Sequence, residues 1–109
     1  MNVKLEIPKD ELATFLTYLG LGTLCAIKNG AVPPQVGIWT LAQPNLLAFL
    51  NNQPSIPKGL IEVFRQADEL SAIDKLLPGQ FDAEVEKLMK TLEAELKTMA
   101  VKAWSIKTD

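Results

Sequence analysis

The sequence contains no histidine and a single cysteine, Cys25. Without histidine there is no Ser-His-Asp or Cys-His catalytic arrangement, no histidine general base and little basis for a transition-metal site. One cysteine excludes an intrachain disulfide and a zinc site built from cysteines. Cys25 stands in an apolar stretch, where a free cysteine usually behaves as a small buried hydrophobic residue. The sequence therefore predicts no catalytic residue, no metal site and no cofactor.

The chain has few of the basic residues that a surface for binding nucleic acid or membranes needs. The net charge at pH 7 is −2, Arg65 is the only arginine, and residues 31–57 contain neither lysine nor arginine. Binding to DNA, RNA or an anionic membrane surface requires a basic patch. We therefore predict no nucleic-acid partner and no membrane partner. The same scarcity argues against a helix-turn-helix motif in the middle of the chain.

No apolar run has the length of a membrane span. The longest covers residues 12–27, which is 16 residues with two glycines among them, whereas a spanning helix needs about 20. Residues 1–8 alternate charged and apolar side chains and do not resemble a signal peptide. With only one cysteine as well, these features predict a cytoplasmic location.

Apolar residues recur at helical spacing along most of the chain, which predicts an all-α fold. Leucine alone accounts for 17 of the 109 residues. We expect one compact domain of four to five helices, 1–109, with long first and last helices and short proline-punctuated helices between them. The predicted helices cover residues 9–28, 34–41, 44–51, 57–77 and 82–103.

The helix boundaries rest on local start and stop signals. Asn29-Gly30 supplies a left-handed stop after the first helix. Pro34 and Pro44 favour the first turns of the next two helices, where the missing N–H of proline is not needed. Pro78-Gly79 ends the fourth helix, and Asp82 is the expected N-cap of the last.

Both ends of the chain carry short alternating patterns. Val3, Leu5 and Ile7 alternate with charged residues, and a second alternation ends the chain at residues 104–108. We expect residues 1–8 to form an extended arm and residues 104–109 to be the extended, frayed end of the last helix. Pairing of the termini as strands, within one copy or between two, is the alternative.

Charge is distributed unevenly along the chain. Residues 12–57 contain one charged side chain, Lys28, whereas residues 58–109 contain 18. A chain of this size has much surface for its volume, so burying the whole uncharged half is difficult, and exposed apolar patches mark interaction sites. We predict a partner interface in the uncharged region 31–57 and on a narrow strip of the last helix, formed by Val36, Ile38, Trp39, Leu46, Leu47, Phe49, Leu50, Val101 and Trp104.

Trp39 and two glycines each have two interpretations. Trp39 is either a core anchor, which is the commoner role, or an interface residue. Gly20 and Gly22 each cost about 1 kcal/mol relative to alanine inside a helix, and we interpret both as points of close helix packing. The alternative is a phosphate-binding loop, which needs a third glycine where Cys25 stands.

Carboxylates are plentiful in the second half, in a pattern typical of a solvated helix face. Glu86 and Lys90, like Glu93 and Lys97, are spaced for i,i+4 ion pairs. No calcium-loop pattern is present. An enzyme that uses Glu69, Asp74 or Tyr18 ranks third among the functional hypotheses.

The stretches LGLGTL at 19–24, AIKNG at 26–30, ELSAI at 69–73 and LLP at 76–78 span most of the chain. In these stretches the sequence resembles short, uncharacterised bacterial protein families. The resemblance implies no activity and no catalytic residues.

Composition and patterning together favour a small non-enzymatic protein-interaction module. We expect it to form a homodimer or to bind another protein, in a regulatory, chaperone-like or toxin-neutralising role. The alternative is a helical domain that encloses a small apolar ligand among its Leu, Phe and Met side chains.

Overall fold

The fold is all-α, as the sequence predicts, in a computed structural model that describes residues 2–101, 103 and 106–108. Within these residues no helix is both long and apolar enough to cross a membrane. The elements in chain order are β1 (Leu5–Glu6), α1 (Lys9–Lys28), α2 (Pro34–Ala42), α3 (Pro44–Asn51), α4 (Lys58–Ala67), α5 (Leu70–Leu76), a 3-10 turn (Pro78–Gln80), α6 (Phe81–Thr98) and β2 (Lys107–Thr108).

Helix α1 ends where Asn29-Gly30 predicts. Gly30 has a φ of +70°. The N–H of Ala31 donates to the carbonyl of Ala26 at 2.9 Å, and the N–H of Gly30 donates to that of Ile27 at 3.2 Å. These two bonds form a Schellman motif, which requires a left-handed residue at this position. The motif ends α1 and turns the chain so that α2 packs against it.

Replacing Gly30 by alanine is expected to lower the free energy of unfolding by about 1–2 kcal/mol, because a Cβ is disfavoured at positive φ. Urea denaturation followed by circular dichroism measures the loss. Gly79→Ala is the matched control: Gly79 has no positive φ, and an added Cβ there meets open space. Equal losses in the two variants would contradict this account of Gly30.

The most extensive helix contact joins α1 and α6, and Gly20 lies within it. A Cβ added at Gly20 would lie 2.8 Å from Cδ1 of Leu92 on α6 and 3.4 Å from Cε1 of Phe64 on α4. Leu92 and Phe64 are both fully buried. Three helices therefore meet at Gly20, where a larger side chain would hold them apart.

The predicted fourth helix is divided into α4 and α5. Asp68 and Glu69 keep right-handed helical dihedrals, but their N–H groups bond to carbonyls three residues back, at 3.2 and 3.0 Å. Such a turn rotates the chain by about 20° more per residue than an α-helix does. Leu70 is buried and Ile73 packs against the core, but Leu76 and Leu77 are 77% and 50% exposed.

Helix α6 begins and ends at different residues than predicted. Its N-cap is Gln80, and Asp82 lies in the first turn. The helix ends at Thr98, and the next residue, Met99, has extended backbone dihedrals. The sulfur of Met99 accepts a hydrogen bond from the hydroxyl of Thr14 on α1 at 3.7 Å, and it lies 3.8 Å from the hydroxyl of Thr17, which donates to the carbonyl of Ala13 at 2.7 Å.

Because α6 ends at Thr98, the narrow strip predicted on the last helix does not continue to Val101. That strip required helical spacing to residue 103, and Val101 now lies beyond the helix. Trp104 lies outside the described residues.

The two ends of the chain pair as strands. Leu5 lies opposite Thr108 and Glu6 opposite Lys107, in an antiparallel ribbon. Our preference for an unpaired arm and a frayed helix end was therefore wrong, and the alternative forms instead. Helix α6 ends at Thr98 and β2 begins at Lys107, so the connection has eight residues, a length that can span up to about 26 Å and lets β2 reach β1.

Candidate interaction surface

A groove lies between the exposed sides of α1 and α2, and we call it the α1–α2 groove. It encloses about 410 Å³. The described residues that line it are all uncharged: Tyr18, Leu19, Gly22, Thr23 and Ala26 of α1, Val32 of the connection, and Val36, Gly37 and Thr40 of α2.

The close approach of α2 to α1 depends on Gly37. This glycine is buried inside α2, and a Cβ added there would collide with the side chain of Ile27. Pro33 and Pro34 start α2 directly after the turn at Gly30. The local chemistry of residues 30–37 therefore places α2 alongside the C-terminal half of α1 and creates the groove.

The two threonines in the groove use their hydroxyl protons within their own helices. Thr23 donates to the carbonyl of Leu19 at 2.7 Å, and Thr40 donates to the carbonyl of Val36 at 2.9 Å. Both hydroxyls are thus already bonded to helix carbonyls. The walls of the groove consequently present mainly apolar surface to an occupant.

Val36, which lines the groove, and Trp39, which stands beside it, both lie on the exposed side of α2. Val36 is 55% exposed and Trp39 is 61% exposed. Successive residues of a helix are about 100° apart around its axis. Around the axis of α2, Thr40 therefore lies about 40° from Val36 towards the groove, and Trp39 lies about 60° from Val36 in the opposite direction. Trp39 is therefore an exposed surface residue, and its interpretation as a core anchor was wrong.

Lys28, the single charged residue in the uncharged half, forms an ion pair with Glu86 of α6. The hydrogen bond to Glu86 raises the pKa of Lys28, and the same bond lowers the pKa of Glu86. The contribution of Glu86 to stability is lost as pH falls through its lowered pKa, and that of Lys28 is lost as pH rises through its raised pKa. At pH values between the pKa of Glu86 and that of Lys28, both side chains are charged and the ion pair is intact.

The eight predicted interface residues that the structure describes, all except Trp104, fall into three groups. Exposed residues are Val36, Trp39, Phe49 on α3 and Val101, of which Phe49 and Val101 are 47% and 45% exposed. Half-buried residues are Leu46 and Leu47, which pack against the core. Buried residues are Ile38 and Leu50.

Ile38 and Leu50 are corrections to the predicted interface. Ile38 is 4% exposed and Leu50 is fully buried. Both short helices turn one side towards the core, α2 against α1 and α4, and α3 against α4. Neither residue is accessible to a partner.

Gly22 and Cys25 also differ from what the sequence predicts. A Cβ added at Gly22 would meet no atom within 4 Å, so this glycine allows no close helix packing and instead leaves space in the groove. Cys25 is exposed rather than buried, and its sulfur accepts a hydrogen bond from the side chain of Asn29 at 3.3 Å. Both residues lie on the solvent side of α1.

Gly37 and Tyr18 are the site residues that the sequence analysis missed. Gly37 carried the same signal as Gly20, a glycine inside a predicted helix, which usually has a packing reason. Tyr18 was named only in the enzyme hypothesis that ranks third, but it is 41% exposed and lines the groove. No pattern in the sequence distinguishes an exposed aromatic residue from a buried one in so apolar a helix.

Two further features of the described part of the chain, its acidic residues and a depression on α6, give no indication of a site. Among the described residues, no cluster of three or more acidic residues or cysteines could hold a metal. A shallow depression of about 760 Å³ lies on the outer side of α6, and the residues that line it belong to this one helix: Asp82, Ala83, Glu86, Lys87, Lys90, Thr91 and Ala94. This depression is the mixed, solvated face expected of a surface helix.

Comparisons with known proteins agree with the resemblance to uncharacterised families. Neither a curated protein nor a solved structure matches the chain. One family model, described as a protein of unknown function (DUF3969), matches residues 8–108. Because the match includes every helix of the fold, the chain belongs to the DUF3969 family.

Proposed function

We propose that the chain is a non-enzymatic protein-interaction module that associates with a second copy of itself through the surface around the α1–α2 groove. The observation that carries the proposal is the 61% exposure of Trp39 beside a groove with uncharged walls. A cytoplasmic location, in which Cys25 stays a free thiol, belongs to the same proposal.

The free energy for such association would come from burial of apolar surface. Moving Trp39 from its present exposure into a buried site removes on the order of 100 Å² of apolar surface from water, which is worth about 2.5 kcal/mol. Val36 adds to this. Tryptophan is among the residues that most often dominate binding energy when they are buried at the centre of an interface.

The test is the solution mass of the wild-type chain, measured by size-exclusion chromatography with light scattering at several concentrations. We expect a dimer near 24 kDa, twice the chain mass of 12.0 kDa. The dimer should be insensitive to salt, because burial of uncharged surface is not screened. A mass of 12.0 kDa at every concentration up to the solubility limit would contradict self-association.

A small apolar ligand in the α1–α2 groove is the second candidate. The groove volume of about 410 Å³ lies within the range of small-molecule pockets, about 300–1,000 Å³. Native mass spectrometry of the purified protein would show a retained small mass if this function is correct. A clean protein mass under gentle conditions would count against it.

A further inference from the structure

We propose that two copies of the chain pair about a two-fold axis near Val36, with Trp39 of each copy inserted in the α1–α2 groove of the other. This inference rests on the proposed self-association and specifies its geometry. The occupant of the groove is thus a second copy of this chain.

The relative positions of Trp39 and the groove favour this arrangement. Val36 forms one edge of the groove, and Trp39 lies on the far side of Val36 and does not line the groove of its own chain. A two-fold axis that runs parallel to α2 past Val36 exchanges the two sides of α2. This rotation places Trp39 of each copy against the groove of the other. Every contact between the two copies then occurs twice, as in any isologous interface.

The absence of charge makes a second copy a suitable partner. In a two-fold interface a charge near the axis meets its own copy, and such like-charge contacts are unfavourable. Residues 12–57 contain Lys28 as their single charged residue, and Glu86 balances it. A partner for this groove must present an equally uncharged apolar knob, and Trp39 of a second copy presents one.

Two variants separate the two halves of the contact. Trp39→Ala removes the knob and leaves the groove. Gly22→Gln puts a side chain into the groove and leaves Trp39. The glutamine enters open space on an exposed side of α1 and has a better helix propensity than glycine, so this variant should fold at least as well as the wild type. Gly22→Ala, with a shorter side chain, is its control.

Each variant alone is expected to weaken the homodimer at least about 30-fold, the loss typical of an interface hot spot. In an equimolar mixture, the two variants should form a heterodimer with a lower dissociation constant than the homodimer of either variant. In that heterodimer the free groove of the Trp39→Ala chain receives Trp39 of the Gly22→Gln chain. Native mass spectrometry resolves the species because the two variants differ in mass.

The outcomes distinguish the geometry from the proposed function. If the wild type is monomeric, self-association and this geometry both fail. If the wild type dimerises and Gly22→Gln has no effect, or if the mixture recovers no heterodimer, the knob-and-groove geometry is overturned while self-association stands. A dimer that tolerates Trp39→Ala overturns the geometry in the same way.

Discussion

Replacing Phe64 by alanine is expected to lower the free energy of unfolding by about 3–5 kcal/mol. Phe64 is fully buried on α4, and its ring lies against Gly20 where α1, α4 and α6 meet. Removing the ring deletes its transfer free energy and leaves a cavity between three helices that cannot all close in. Domains of this size have a free energy of unfolding of about 5–15 kcal/mol, so this one substitution would remove a large fraction of it.

Urea denaturation of the wild type and the variant measures this loss as a shift of the midpoint at similar slope. Phe49→Ala is the matched control, because it deletes the same ring from a site that is 47% exposed on α3. We expect a loss below about 1 kcal/mol for the control, as for most surface substitutions. Comparable losses from the two variants would mean that Phe64 does not hold the centre of the fold.

Replacing Val36 by lysine is expected to raise the dissociation constant of the dimer by about 100-fold or more. Val36 lies near the proposed two-fold axis, so each new charge faces its copy and loses water without gaining an opposite charge. Like-charge juxtaposition in an interface costs several kcal/mol. High salt should restore little of the affinity, because the loss of hydration is not screened.

Leu76→Lys is the matched control for this substitution. It makes the same change in net charge at an apolar residue that is 77% exposed, but on α5 rather than beside the groove. We expect its dissociation constant to stay within about threefold of the wild-type value, since surface substitutions away from an interface change free energies by about 0.5 kcal/mol or less. Sedimentation equilibrium measures both variants. If Leu76→Lys weakened the dimer as much as Val36→Lys, the interface would lie elsewhere.

The parts of the fold that follow from local chemistry were predictable. Helix α1 covers Lys9–Lys28 and α3 covers Pro44–Asn51, both as predicted, and α2 runs one residue past its predicted end. Their boundaries are set by Gly30, Pro34 and Pro44, which restrict the backbone whatever surrounds them. The all-α class follows in the same way from helical spacing of apolar residues.

The parts that depend on distant contacts were not predictable. Periodicity continued across Asp68-Glu69, but the turn tightens there and α5 takes a new direction. Helix α6 stops at Thr98, and the next residue, Met99, accepts a hydrogen bond from Thr14, 85 residues earlier in the chain. A side chain that far away leaves no trace in the local pattern of residues 82–103.

For the candidate site, the sequence by itself determined that residues 12–57 carry almost no charge and that Trp39 stands in an apolar segment. It did not determine which apolar side chains face water. Only the tertiary structure decided that Ile38 and Leu50 are buried while Val36 and Trp39 are exposed, because burial depends on which side of each helix its neighbours cover. The α1–α2 groove is likewise a tertiary feature: it exists because Gly37 lets α2 approach Ile27 closely.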